Sequence, residues 1–261
     1  MRFADFFNVP YCKESDLPRS TPPVSRVYPC DTCPARSTGL CALLLDRAGG
    51  SAKEIWQEPK TARPRQILYR AGTHLEHVLV LCEGWAHRFV SLSGGHRMIL
   101  SFLLPGDMMT ATAPFSDQIG SSILIITAGR YRLFRRDEVL EVLSGTDSAL
   151  MAWGHFIKTQ QENLEQQLTD IGRRSAEERI ARLVLGMVRR LHWSGSESKS
   201  EFSFPLTQQH IADATGLTPI HVSRTLNVFR QKEIMRLSHG VLAIHDSKRL
   251  YHVADLDPGA H

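Results

Sequence analysis

The sequence predicts an α+β chain: an antiparallel β-sandwich or roll, one long helix, and a C-terminal winged helix-turn-helix. Three observations predict it. After residue 64, apolar stretches of strand length are separated by glycines at nearly even intervals, at Gly72, Gly84, Gly94-Gly95 and Gly106. Such spacing is the mark of antiparallel strands joined by tight turns. From Asp147 to Ile171 apolar residues alternate at steps of four and three, the pattern of a helical seam. Between Pro205 and Ile244 two capped helices flank a glycine turn and lead into a hairpin,. The 261 residues suffice for about two domains,. The expected organisation is a tail with a cysteine cluster and short helix (1–60), a β-roll (61–143), the long helix (144–172), the winged helix-turn-helix (173–253) and a frayed end (254–261).

Composition narrows the function classes. Hydrophobic residues make up 42% of the chain, net charge is +4 and the sequence pI about 8.9. That balance suits a nucleic-acid partner without establishing one, so the placement of the charges decides. No apolar run approaches the ~18–20 residues of a membrane span. The N-terminus lacks the uninterrupted apolar core of a secretory signal, so the expected location is the cytoplasm. Five cysteines, an odd number with four before residue 42, argue against a disulfide scaffold and for metal or redox chemistry,.

Residues 1–29 carry Pro10, Pro18, Pro22, Pro23 and Pro29 among polar residues and read as a tail with no core of its own. Cys30, Cys33 and Cys41 follow in a C-x2-C-x7-C arrangement. The CxxC pair puts two thiolates on one tight turn, and a third lies a short loop away. An iron–sulfur cluster or a closed zinc site needs about four ligands, so Cys12 or Cys82 would complete the set. A thiol switch is the reading without a metal. Residues 42–60 read as a short amphipathic helix.

The expected strands are Ile67–Tyr69, Val78–Cys82, Ala86–Leu92, Met98–Leu103, Ser122–Ile126 and Tyr131–Phe134. A short helix covers 137–143. In the long helix, Leu150, Gly154, Ile157, Gln161, Leu164, Leu168 and Ile171 occupy the seam. Polar residues fill the other faces, and the reading is homodimerisation through this helix. An amphipathic helix from Ser175 to Leu191 and a Ser/Gly/Glu-rich loop at 193–203 lead to the last module. There Thr207 caps a helix that buries Ile211, Ala212 and Ala214, and Gly216 ends it at positive φ. Thr218 caps a second helix with Pro219 at its first position. Val222, Leu226 and Phe229 face inward, leaving His221, Ser223, Arg224 and Asn227 outside. Ile234–Leu237 and Val241–Ile244 form the wing. A polar-faced second helix of this kind enters the DNA major groove.

On Leu81-Cys82-Glu83-Gly84-Trp85, Leu103-Leu104-Pro105-Gly106-Asp107, Arg173-Arg174-Ser175-Ala176-Glu177-Glu178-Arg179 and Leu217–Leu226, the chain resembles the Crp/Fnr family of bacterial transcription regulators across about residues 60–250. The resemblance implies a cyclic-nucleotide-binding-like sensor domain, a homodimer on a palindromic operator in double-stranded DNA, and contacts with RNA polymerase. Cyclic AMP or GMP is not expected as effector. A buried cyclic phosphate needs a cation beside it, and residues 98–129 contain neither Arg nor Lys.

The cysteines resemble instead the oxygen-sensing Fnr/FixK-like branch, which implies a [4Fe–4S] cluster on Cys30, Cys33 and Cys41. The branch's fourth ligand, a cysteine late in the sandwich, falls here near Arg132, where no cysteine stands. Cys12, on a tail able to fold over a cluster, is the preferred substitute, and Cys82 reads as a packed strand residue.

The family places an arginine at Arg224, where a bidentate contact would read guanine, and Ser223 matches the branch's serine. The family's frequent glutamate corresponds to Ile220 or its neighbour His221. Isoleucine cannot accept a hydrogen bond from cytosine but can pack on a thymine methyl. Thr207, Gln208, Thr218 and His221 are candidates for phosphate contacts.

An enzyme is not expected. The alternative from that class is a cupin-like metal enzyme, but His74, His77, His87 and His96 are scattered without a close His-x-His pair.

Overall fold

The structure, a computed structural model, describes residues 40–41, 58–193 and 201–256. They divide between Glu162 and Asn163 into two compact units.

The first unit is built on seven strands: β1 (Lys60–Ala62), β2 (Ile67–Tyr69), β3 (His77–Glu83), β4 (Ala86–Ser91), β5 (Arg97–Leu103), β6 (Ser122–Ile125) and β7 (Gly129–Arg135). They form two antiparallel sheets in the orders β1-β7-β3 and β2-β6-β4-β5. Leu79, Leu81, Ile99, Ile123, Ile125 and Phe134 are almost fully enclosed between them. Val78 to Leu81 are buried in succession rather than alternately, because β3 is covered on its edge as well as its faces. The segment after β5 runs along that edge. Leu81 donates its N–H to the Asp107 carbonyl (3.0 Å), Gly106 to Leu81 (2.7 Å) and Met109 to Leu79 (2.7 Å). An edge paired in this way offers no template to a foreign strand.

Gly129 lets two turns touch. A Cβ there would sit 1.9 Å from the Glu83 carbonyl oxygen, and the same turns are tied by the Arg130–Glu83 ion pair at 3.1 Å. Helix α1 (Arg136–Ser144) buries Val139, Val142 and Leu143 against the roll.

Helix α2 (Asp147–Arg173) has 27 residues, about 40 Å at 1.5 Å per residue. Its first turns anchor through Ala149, Ala152 and Trp153, and the Trp153 ring meets Phe115 and Phe156.

The second unit contains α3 (Ala176–Trp193), α4 (Gln208–Thr215), α5 (Pro219–Gln231), α6 (Ser247–Val253) and a sheet of β8 (Glu201–Ser203), β9 (Met235–Ser238) and β10 (Val241–Ile244) in the order β8-β10-β9. Helix α3 opens with a reciprocal cap. Ser175 donates its N–H to the Glu178 carboxylate (2.8 Å), and Glu178 returns its N–H to the Ser175 hydroxyl (3.3 Å),. Ile180, Ala181, Val184, Leu185 and Val188 form its buried stripe.

The structure corrects four expectations. Glu201–Ser203 is strand β8 paired with Val241–Ala243 rather than loop, since Phe202 needs the core to bury its ring. Residues 254–256 are not frayed: Ala254 is fully enclosed, and Asp255 pairs with Arg174 at 2.8 Å. Lys60, expected at the end of a helix, opens β1, because Lys60–Ala62 find partners in Gly129–Tyr131. Helix α3 runs two residues beyond Leu191, to Trp193. The tail at 1–29 and the helix expected over 42–57 lie outside the described residues, as do Cys12, Cys30 and Cys33.

Candidate nucleic-acid interface

The geometry of α4 and α5 follows from their caps. Thr207 accepts the N–H of His210 at 3.2 Å and donates its own N–H to His210 Nδ1 at 3.2 Å. Ile211, Ala212, Ala214 and Thr215 are buried on one side of α4. Gly216 adopts φ 67°, ψ 28° and returns its N–H to Ala212, the left-handed stop that glycine takes without a Cβ penalty. The Arg179 guanidinium secures the same corner, donating to the Thr215 carbonyl (3.2 Å) and to the Arg174 carbonyl (2.8 Å). A cation at a helix C-terminus is favoured by the carbonyl partial charges there.

Thr218 then accepts the N–H of His221 at 3.2 Å, and Pro219 begins α5. With α5 entered at that angle, Val222, Thr225 and Phe229 are buried. Ile220, His221, Arg224 and Asn227 lie outside, and Ser223 and Leu226 are half-buried. Ile220, Arg224 and Val228 stand at steps of four residues and so share one face. Together with Glu177, Thr218, His221 and Thr225 they line an open groove of about 340 Å³. Ile220 is 67% exposed, the most exposed large apolar side chain of the second unit after Leu168. Arg224 has no ion pair among the described residues, so its fork of donors is available to a ligand.

The predicted contact residues therefore meet at one surface in part. Thr218, Ile220, His221 and Arg224 line the groove; Ser223 stands beside it on the same helix. Thr207 and Gln208 are exposed at the start of α4. Sequence reasoning missed the carboxylate in this groove. Glu177 sits 3.6 Å from Lys232 Nζ, and only the approach of α3 to α5 reveals it. It also missed the anchor behind the module. Arg174 joins Asp170 (3.1 Å), Glu178 (3.4 Å) and Asp255 (2.8 Å), and Arg182 Nε lies 2.8 Å from Asp170. The Arg174 hydrogen bond holds the Asp255 carboxyl below its usual range.

On α2, Leu150, Ile157, Gln161, Leu164 and Leu168 are exposed, with Leu168 at 73%. Ile171 differs from them. It is half-buried, with its Cγ2 directed toward Gly216, and Gln167 donates to the Ala214 carbonyl at 3.4 Å.

In the roll, Cys41 is half-buried against the core beside the enclosed Leu40. Cys82 directs its thiol to the Val80 carbonyl at 3.7 Å. Among the described residues no group of three His, Cys, Asp or Glu side chains is placed to hold a metal ion, and His74, His77, His87 and His96 are not brought together. His87 is enclosed between Phe89 and Phe102. The segment without Arg or Lys packs Met108, Met109, Ala111, Ala113 and Ile119 into the core. Of the partly buried cations around it, Arg88 donates to Ser101 Oγ at 3.1 Å, with burial lowering its guanidinium pKa, and Arg136 pairs with Asp117. No helix among the described residues is long and apolar enough to cross a membrane.

Residues 178–253 match the model of a Crp-like helix-turn-helix domain. The chain is 28% identical over 229 residues to the transcriptional activatory protein AadR of Rhodopseudomonas palustris, spanning 85% of this chain and 92% of that one. It is 26% identical over 213 residues to the nitrogen fixation regulation protein FixK of Azorhizobium caulinodans, spanning 73% and 79%. Among solved structures, FixK2 from Bradyrhizobium japonicum superposes with a TM-score of 0.68 at 23% identity, over 78% of this chain and 98% of that one. Both relatives are named for regulation, AadR of transcription and FixK of nitrogen fixation, and neither for catalysis.

Proposed function

From the premise that the chain belongs to the Crp/Fnr family of transcription regulators, we propose that it binds a palindromic operator as a homodimer and couples that binding to oxygen or redox state. The observation that carries the DNA half is the face of α5: Ile220, His221 and Arg224 are displayed on a helix whose opposite side is locked by Val222 and Phe229. Arg224 is the base-reading residue, its planar fork matching the two acceptors of guanine in the major groove, with Ser223 beside it. Thr207 and Thr218 accept helix N–H groups, which leaves each hydroxyl hydrogen able to donate to a phosphate,. Gln208 and His221 extend that row and fix the register of the module on the duplex.

The dimer half rests on α2. Leu150, Ile157, Leu164 and Leu168 leave apolar surface in water along one helix, and a second copy of the same helix would bury it by knobs-into-holes packing. Gln161 within that row would fix the register of the pair, and Ile171 closes its lower end. A two-fold molecule of this kind presents two α5 helices to half-sites about one helical turn apart.

For the signal, the donor set is thiolate: Cys30, Cys33 and Cys41, with Cys12 as fourth ligand. Such a set fits an iron–sulfur cluster, and a [4Fe–4S] group would supply an oxygen-reactive centre. The thiol of Cys82, turned to its own strand, is less suited to serve. Beside the half-buried Cys41, Leu40 is held in the roll core, so ligation at Cys41 would act on packing in the first unit. A shift in DNA affinity then requires that the two packings differ in their affinity for the cluster. Contacts with RNA polymerase complete the reading.

The test is iron and acid-labile sulfide content of anaerobically isolated protein, with sedimentation and operator binding before and after air. Equal iron and sulfide, a dimer, and air-sensitive binding are expected. Protein that lacks both after anaerobic reconstitution would remove the cluster and leave the DNA reading standing. Failure to retain any duplex in either state would remove the DNA reading.

A further inference from the structure

An exposed isoleucine in the middle of a polar reading surface needs an explanation. Ile220 stands in the groove with Arg224, His221 and Thr218, two-thirds open to water. It lies in the first turn of α5, whose N-terminal residues are those that reach base edges in this docking geometry. An isoleucine there can neither donate nor accept a hydrogen bond. The one apolar feature that the major groove presents is the methyl at pyrimidine C5. The fold does not need Ile220 for its core, which is filled on the other side by Val222, Thr225 and Phe229.

We propose that Ile220 is a specificity-determining residue that reads a pyrimidine 5-methyl group, so that the operator is recognised through thymine or 5-methylcytosine at one position of each half-site. The inference rests on the DNA reading above and deepens it. Ile220 and Arg224 are four residues apart on one face, a rise of about 6 Å, and base pairs are stacked at about 3.4 Å. The methyl therefore lies within about two base pairs of the guanine that Arg224 contacts. Because the contact is to the methyl and not to the pyrimidine's exocyclic oxygen or amine, binding responds to cytosine C5-methylation at that position. An unmethylated cytosine would place its amine against the isoleucine, costing that amine its water.

The probes come from selection of the full-length protein on a duplex library randomised over 24 base pairs. The selected half-site should carry a guanine whose selection is lost in Arg224→Ala, with a thymine within two positions. Four fully paired duplexes then differ only at that base pair in both half-sites: thymine or uracil opposite adenine, and cytosine or 5-methylcytosine opposite guanine. Affinity should fall about fourfold per half-site from thymine to uracil, the effect of burying one methyl group. It should recover from cytosine to 5-methylcytosine. Ile220→Ala should equalise thymine and uracil, because the side chain that tells them apart is gone, while its melting temperature stays that of the unaltered protein, since the residue is outside the core. Ile220→Glu should shift the preference from thymine to cytosine, whose amine can donate a hydrogen bond to the carboxylate. Equal binding of thymine and uracil duplexes by the unaltered protein overturns the inference, as does a selected site with guanine but no nearby thymine; both leave the DNA reading intact. A selection that enriches no sequence overturns the DNA reading and this inference with it.

Discussion

The two units place their polar chemistry in opposite ways. The roll turns its chemistry inward: β3 buries four consecutive residues, and His87 and Thr110 are enclosed with the aliphatic core. The winged helix turns its chemistry outward: α5 buries Val222, Thr225 and Phe229 and displays Ile220, His221 and Arg224. A surface that reads another molecule has to remain in water, so helical spacing alone decides which residues it shows. An interior is defined by what it encloses, and its walls come from residues far apart in the chain.

The contrast can be broken by exchanging what each unit hides. The largest effect is expected from Phe229→Ala, which empties a fully enclosed position beneath the reading face. It should cost about 3–5 kcal/mol, read by chemical denaturation, and abolish operator retention. Phe134→Ala, at the matching depth in the roll, should cost a similar amount. Arg224→Ala comes next and separates reading from folding. Operator affinity should fall by about 1–3 kcal/mol per half-site, while the melting temperature stays unchanged. Gly216→Ala sharpens the role of the turn. A Cβ there meets only Ile171 Cγ2 at 3.6 Å and Arg179 Nη1 at 3.8 Å, so the penalty is that of the left-handed backbone, about 1 kcal/mol.

The smallest effect concerns pH. The Arg174 hydrogen bond lowers the Asp255 pKa. Its stabilisation is therefore present above the unfolded value of about 3.9 and is lost as pH falls through the lower folded value. Asp255→Asn should flatten that acid limb slightly in urea midpoints taken between pH 5 and 2.5. An unchanged limb would show the pair to be fully screened.

The winged helix was legible because its instructions are local. Thr207, Gly216, Thr218 and Pro219 each act within four residues of their own position, and the structure places all four as capping, turning or leading a helix. The roll's strands were legible as strands, but their covering was not. Nothing within Lys60–Ala62 or Glu201–Ser203 reveals their partners at 129–131 and 241–243, because three residues carry no period and the pairing is remote. The same holds for Asp255, read as part of a loose end but paired with Arg174 some eighty residues earlier, and for Glu177, which helix packing alone brings to Lys232. The exposed residues of α2 were legible as a stripe. Ile171 shows why such a stripe is not uniform: at its last turn the same period meets the corner at Gly216.

The Arg174 anchor has a practical consequence for anyone cutting the DNA-binding half free. The family match spans 178–253, yet Asp170 and Arg174 lie before it, and Ala254 and Asp255, which accept from Arg182 and Arg174, lie after it. A fragment trimmed to those bounds would leave Arg182 facing a missing acceptor at both ends. Boundaries set at Asn163 and Leu256 keep the clasp closed, so that weak operator binding by a shorter piece would report the scissors and not the reading helix.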